Sequence, residues 1–213
     1  MKIEVVESAY LKSNMYVLIE QGHITMIDPC ENYIIPEGME PDYIFLTHEH
    51  YDHISAVNYW KERSNAKVIC SSICGSNIKD SKRNLSKHFG VFLQIQTWIE
   101  DIGNIEVSPY ETVADIVFPE RLEVSWKGHK FFLFITPGHS KGSSSILLDN
   151  YWLFAGDTLM KNFPVSFGLP GGSKKDWLNI TKPAFLKLPE NTVVMPGHFE
   201  CFPLKDYAFW EVV

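Results

Sequence analysis

The sequence predicts an α/β layered domain rather than a pure β-sandwich, and three observations carry that expectation. Between residues 42 and 70 an apolar strand, a helical pattern and a second apolar strand follow one another. From Ala114 onward β-rich segments return, joined by short turns. Several strands then end in small residues followed by a potential ligand, as in Gly138-His139, Gly156-Asp157 and Gly197-His198. The length of 213 residues suits one domain, residues 1–213, with a substantial core.

Taken in order, Ile3 to Glu7 alternates, Asn14 to Glu20 is β-rich, and Gln21-Gly22 reads as a tight turn into a third strand, His23 to Asp28. Residues 31–41 carry Pro36, Gly38 and Pro41 and read as a connection. Asp42 to Thr47 is a buried strand. Beyond it Ile54, Val57, Tyr59, Trp60 and Arg63 fit a helix that ends near Ser64-Asn65, followed by a strand at Lys67 to Cys70. Residues 75–110 read as an irregular helical excursion lying over the active face. Leu122 to Trp126 and His129 to Ile135 flank Lys127-Gly128, and Ser143 to Leu148 and Tyr151 to Phe154 flank Asp149-Asn150, giving two hairpins. Asp176 is placed to cap an amphipathic helix through Trp177, Ile180, Phe185 and Leu188, with Pro183 forcing a kink or two pieces. Thr192 to Met195 is the last buried strand.

An apolar fraction of 45% with 21% charged residues is that of an ordinary soluble protein. The net charge of −7 argues against a nucleic-acid footprint, which would be basic, and favours a small-molecule substrate. Cys30, Cys70, Cys74 and Cys201 show no disulfide-framework or zinc-knuckle spacing and read as free thiols in a reducing compartment. The N-terminus has no apolar signal region and no run approaches the ~18 apolar residues of a membrane span, so a cytoplasmic protein is expected. Oligomeric state leaves no mark in the sequence.

The chemistry concentrates at Thr47-His48-Glu49-His50-Tyr51-Asp52-His53, three histidines and an aspartate after the apolar run Tyr43-Ile44-Phe45-Leu46. Imidazoles and carboxylates crowded behind a buried strand desolvate and repel one another unless a positive centre sits between them, and a metal ion is the simplest one. His139, Asp157 and His198 follow at later strand ends, where the sheet fixes their geometry.

His48-x-His50-x-Asp52-His53, then His139, Asp157 and His198 in that order, resembles the metallo-β-lactamase superfamily from about Asn14 to His198. The resemblance implies a four-layer αββα sandwich, two mixed β-sheets flanked by helices, with the site at one edge between the sheets. It implies that His48, His50 and His139 hold one metal, that Asp52, His53 and His198 hold a second, and that Asp157 bridges both. Three imidazoles suit zinc, and the carboxylate-richer site suits zinc, iron or manganese. Two divalent ions of this kind would activate water for attack on a carbonyl or phosphoryl centre, with Asp52 as the catalytic proton carrier.

Within the superfamily, Thr136-Pro137-Gly138-His139-Ser140-x-Gly142-Ser143, Ala155-Gly156-Asp157-Thr158-Leu159 and Leu169-Pro170-Gly171-Gly172-Ser173 are similar to the glyoxalase II-like branch, the hydroxyacylglutathione hydrolases and their small relatives. That branch implies a thioester, ester or lactone substrate. The chain departs from it in having Phe199 where glycine usually follows the last ligand, and in having fifteen residues after His198 where a glutathione-gripping region is expected. An iron persulfide dioxygenase-like oxidoreductase and a phosphodiesterase of the same superfamily are the alternatives. Of the other candidates, His23, His88 and His129 are expected to be structural or at the surface. Glu49 and Tyr51 alternate with the ligands and are expected to point away, with Tyr51 also placed to rim the entrance. Lys141 reads as a solvated loop lysine or an anchor for a substrate anion, and Cys201, three residues past His198, as a bystander rather than a neighbour of the ligands.

Overall fold

The computed structural model describes residues 1–9, 11–94 and 107–211. Two six-stranded sheets form its centre. The first is laid out in chain order from β1 (Lys2–Glu7) through β2 (Asn14–Glu20), β3 (His23–Ile27), β4 (Glu40–Phe45) and β5 (Lys67–Ser71) to β6 (Ile116–Phe118). The β1, β2 and β3 strands pair antiparallel, and β3 to β6 pair parallel. The second sheet comprises β7 (Arg121–Trp126), β8 (His129–Ile135), β9 (Ser144–Leu148), β10 (Trp152–Gly156), β11 (Val193–Pro196) and β12 (Phe202–Pro203). Only its β10–β11 pair is parallel among the described pairings.

The alternation of side chains along each strand builds the layers. Tyr16 and Leu18 face inward with Phe45, Ile69, Phe131, Leu133, Ile146 and Phe154 to form the core between the sheets. Met15 and Val17, one residue out of phase, face outward against Ile54, Val57 and Trp60. On the far side Leu153, Ala155 and Val194 pack against Trp177 and Phe185. A strand buried on both faces reads as a continuous apolar run, as Met15 to Ile19 of β2 does. The expected αββα sandwich of two mixed sheets is therefore the fold.

The flanking helices are short: α1 (Tyr51–Ile54), α2 (Val57–Arg63), α3 (Ser72–Asn77), α4 (Phe89–Gln94), α5 (Lys174–Asp176) and α6 (Lys182–Phe185). Two expected turns, Gln21-Gly22 and Lys127-Gly128, have positive φ at both residues, the geometry that matches strand twist. Asp149-Asn150 shares the positive φ at both residues but sits in a longer turn, because Trp152 pairs with Leu148, so Tyr151 belongs to the turn and not to the strand. The helix expected from Ile54 to Arg63 is interrupted at Ser55-Ala56, and its first turn begins earlier, at Tyr51.

Two sequence expectations for the last helical region are corrected. Ser173, not Asp176, caps it, accepting a 3.1 Å bond from the Asp176 N–H. Trp177–Thr181 forms a π-helical turn between α5 and α6, with Pro183 in the first turn of α6. The wider turn places Trp177, Thr181 and Phe185 on the buried face and leaves Ile180 43% exposed. Of the 75–110 excursion, a 3₁₀ turn at Ser86–His88 and α4 are described; residues 95–106, and part of the apolar run expected there, lie outside the described residues. Among the described residues no helix is long and apolar enough to cross a membrane.

Candidate metal centre

All seven histidines and aspartates singled out from the sequence meet at one edge of the sandwich. The β4 strand delivers His48 and His50 through the loop that follows it, and α1 carries Asp52 and His53. His139 follows β8, Asp157 follows β10, and His198 follows β11. Ligand-donor atoms of His48, His50 and His139 lie within metal-holding reach of one another, as do those of Asp52, His53 and His198. Asp157 lies between the two groups, 3.6 Å from His139 Nε2, 3.3 Å from His53 Nε2 and 3.5 Å from His198 Nε2. Asp52 Oδ2 stands 3.4 Å from both His53 Nε2 and His198 Nε2. Six of the seven residues are at most 4% exposed, whereas the Asp157 side chain is 12% exposed and marks where solvent reaches the site.

Hydrogen bonds on the outer ring nitrogens set the tautomers. His198 Nδ1 lies 3.0 Å from the Leu11 carbonyl, which can only accept, so Nδ1 carries a proton and Nε2 is the nitrogen turned inward, able to offer a lone pair once its own proton is lost. Asp28 does the same for His53, accepting from Nδ1 at 3.1 Å. Asp28 also accepts from the Thr47 hydroxyl at 2.6 Å and the Thr47 N–H at 2.8 Å, and Thr47 Oγ1 in turn faces His48 Nδ1 at 3.0 Å. One carboxylate thus orients two imidazoles. Asp28 is itself within ligand reach of His48 and His53. With both its oxygens engaged it serves as their anchor. Its φ of +51 is a left-handed conformation that aspartate tolerates better than most residues.

Several buried polar atoms of the cluster are left without hydrogen-bond partners. His48 Nε2, His50 Nε2, His53 Nε2, His139 Nδ1 and Asp157 Oδ1 are buried with no hydrogen-bond partner. His139 Nε2 and His50 Nδ1 face one another at 3.0 Å. A buried polar atom left unpaired costs about 1–3 kcal/mol, so such a cluster fits a cation at its centre. Gly197 sits where a Cβ would run into Asp157 Oδ1 and lie 2.8 Å from His53 Cε1, so only glycine lets this strand end approach the cluster.

The electrostatics divide along the same line. Burial holds His48 well below the ordinary histidine range and takes His50 and His139 down to about 4, so this trio is neutral near pH 7. Burial acts on His53 and His198 as well, but the Asp52 and Asp157 carboxylates outweigh it, lifting His53 well above its usual value and His198 to about 9. The same imidazoles hold Asp52 and Asp157 below the usual carboxylate range against the opposing effect of burial. One half of the site is a neutral nitrogen donor set; the other is a balanced cluster of paired charges.

The remaining candidates stand outside the cluster. Glu49 points away and accepts from Ser140 Oγ at 2.9 Å and Asn77 Nδ2 at 2.8 Å, tying the His139 loop to α3. Tyr51 does not rim the entrance; it is buried in an apolar cluster with Leu11, Phe89 and Leu93. Lys141 pairs with Asp176 at 3.1 Å, and Cys201 lies 4.0 Å from the Tyr16 hydroxyl, away from the ligands. His23 and His129 face Asp42 and Asp149, and His88 is exposed, as expected. The functional part of Asp28 went unread in the sequence, where Asp28-Pro29 at a strand end carries only the signal of a turn.

Residues 11–198 match the family model of the metallo-β-lactamase superfamily. "Probable metallo-hydrolase YqgX" of Bacillus subtilis (strain 168) is 28% identical over 202 residues, covering 88% of this chain and 85% of that protein. The hydroxyacylglutathione hydrolase of Citrobacter koseri is 28% identical over 145 residues, 65% of this chain but 43% of that protein. Among solved structures, BLEG-1 B3 metallo-β-lactamase superposes with a TM-score of 0.80 at 23% identity, covering 99% of this chain and 100% of the other. TTHA1623 in a di-iron-bound form does so with a TM-score of 0.72 at 23% identity, covering 96% of each chain. These two likenesses speak to the fold.

Proposed function

This chain belongs to the metallo-β-lactamase superfamily, and on that premise we propose that it is a metal-dependent hydrolase of a small-molecule thioester, ester or lactone in the cytoplasm. The observation that carries the reading is the pair of buried donor clusters, His48, His50 and His139 and then Asp52, His53 and His198, with Asp157 beside members of both. In this reading His48, His50 and His139 hold one divalent ion and Asp52, His53 and His198 a second, with Asp157 reaching both. Zinc suits the neutral trio of imidazoles, and iron or manganese are the competitors at the carboxylate-richer group. Bound divalent ions supply Lewis acidity toward a substrate oxygen and bring the pKa of water towards ~7.

The chain's own residues do the rest. Asp28 and Thr47 keep His53 and His48 in the tautomers whose lone pairs face inward. The Asp52 carboxylate, held ionised by His53 and His198, orients a water molecule and passes its proton to the leaving group. Burial of every donor except Asp157 keeps bulk water out and confines substrate entry to that side. No serine or cysteine nucleophile is required. The partial match to a hydroxyacylglutathione hydrolase supports the thioester class.

Elemental analysis of the purified protein, paired with a screen of thioesters, esters, lactones and phosphodiesters, tests the proposal. Two equivalents of metal with thioester, ester or lactone turnover, lost in His50→Ala with the fold intact, are expected. One equivalent of iron with oxygen uptake on a persulfide would replace this reading by the dioxygenase one, and turnover confined to phosphodiesters would replace it by the phosphodiesterase one.

A further inference from the structure

Two segments leave the metal centre directly from its donors and meet again at its rim. After Asp157 the chain reaches Met160, which bridges to Phe163. After His198 it passes at once to Phe199. The Phe163 and Phe199 rings stack with centroids 4.9 Å apart and planes 21° from parallel. Lys161 and Glu200 tie the same two segments together at 3.5 Å, so their charges offset one another. The Phe199 ring also lies 6.2 Å from the His198 ring, and His198 Nε2 is 3.5 Å from Asp157 Oδ2, so the pair flanks the half of the centre that includes Asp157.

Neither burial nor backbone preference accounts for this pair. Each ring is 38% exposed, so both keep a hydrated face. Phe199 adopts φ +67, a left-handed conformation that disfavours a bulky side chain by about 1–2 kcal/mol. The conformation is held from outside, because Asn14 Nδ2 donates to the Phe199 carbonyl at 2.8 Å while also bonding the Pro196 carbonyl at 3.1 Å. Strain maintained by neighbouring residues, next to a site, in order to present a half-exposed aromatic ring is the pattern of a functional constraint.

We propose that Phe163 and Phe199 form an aromatic wall of the substrate pocket and determine specificity, selecting substrates that carry an aryl group next to the scissile bond. This rests on the hydrolase reading above. The two rings offer planar apolar area with offset stacking geometry, and the neighbouring Lys161–Glu200 pair adds no net charge, so an uncharged aryl group is the complement.

The test compares four thioesters, acetyl and phenylacetyl each on a methyl and a benzyl thiol, with wild type, Phe199→Gly and Phe163→Leu. Glycine is at home at φ +67, so Phe199→Gly removes the ring and the strain together; its melting temperature is expected to hold or rise, with metal content unchanged. The kcat/KM ratio of arylated to methyl substrate is expected to exceed unity for wild type on at least one side of the thioester. It should fall about ten-fold in each variant, the loss expected for an aromatic contact. Equilibrium binding of phenylacetate against acetate to the metal-loaded protein gives an independent reading and should lose its preference in parallel. Ratios that stay the same in both variants, or a Phe199→Gly protein that loses only stability, would overturn the wall. Should wild type turn over none of the thioesters, the thioester reading fails by itself, and the phenylacetate preference still decides the role of the rings.

Discussion

Replacing Asp28 with asparagine separates the chemistry of one carboxylate from the shape it fills. Asparagine tolerates the φ of +51 about as well as aspartate, so the backbone stays in place. Its single oxygen can still accept the Thr47 N–H that Oδ1 accepts at 2.8 Å. The amide nitrogen then takes the position of Oδ2, which now accepts from the Thr47 hydroxyl at 2.6 Å and His53 Nδ1 at 3.1 Å. The threonine hydroxyl can rotate and accept instead. Binding metal requires the charged His53 ring to shed one proton, and beside the amide donor the proton that remains favours Nε2, the nitrogen that faces Asp52 and Asp157. The variant therefore loses a hydrogen bond to a charged acceptor, worth about 1.5–3 kcal/mol, and that loss falls on the tautomer that binds metal. At about 1.4 kcal/mol per decade this corresponds to metal affinity weaker by roughly ten- to a hundred-fold, the range found when groups orienting metal-ligating histidines are removed. A competition titration against a chromophoric chelator measures it, and nitrogen-15 shifts of the metal-loaded protein report which His53 nitrogen carries the proton. Wild-type affinity in a folded Asp28→Asn protein whose His53 proton stays on Nδ1 would refute the reasoning.

Three further outcomes are expected. Near pH 7 metal should enter the His48, His50 and His139 trio without displacing protons, since burial keeps His50 and His139 down at about 4, whereas filling the Asp52, His53 and His198 group must displace protons from His198, raised to about 9, and from His53, lifted well above its usual value. Affinity for the second group should therefore climb with pH up to about 9 while the first stays flat above about 5, and calorimetry in buffers of different ionisation enthalpy counts the protons released. Gly197→Ala, whose Cβ would meet Asp157 Oδ1 and His53 Cε1, should strip metal from the Asp157 side and abolish turnover while leaving the far-ultraviolet spectrum native. Thr181→Val removes the 2.6 Å bond from the π-turn to the Pro137 carbonyl and should lower stability by about 1 kcal/mol in urea titration, with a weakened grip on metal through the neighbouring His139 loop.

The candidate donors are legible because most announce themselves locally, as titratable residues at the end of an apolar strand next to a small residue. His139, Asp157 and His198 could all be read that way, and the sheet then brings them together with His48 to His53 as expected. Asp28 satisfies half of that description, a carboxylate at the end of β3, yet proline follows it, and what it does depends on Thr47 and His53 being near in space. The wall of Phe163 and Phe199 hides for the same reason, since its two halves lie far apart in the chain. The π-turn at Trp177–Thr181 defeats a 3.6-residue template outright: one widened turn moves Ile180 from the buried face to solvent. Tyr51 was misjudged because the residue that covers it, Phe89, sits in the excursion of residues 75–110, whose sequence has no clear period.

Asn14 has a consequence that reaches beyond the rim it steadies. It lies on the first sheet, yet its backbone N–H bonds the Gly197 carbonyl at 2.7 Å and its side chain bonds the Pro196 and Phe199 carbonyls, all on the second-sheet side. The first half of the chain contributes His48 to His53 and the second half His139, Asp157 and His198, so the centre exists only while the halves stay docked. An ion shared between them behaves as a clasp, adding about 2.7 kcal/mol to stability at a hundred-fold excess over its Kd. Asn14→Ala should therefore loosen the docking of the halves, read as faster amide exchange at Asn14, and weaken metal retention with it.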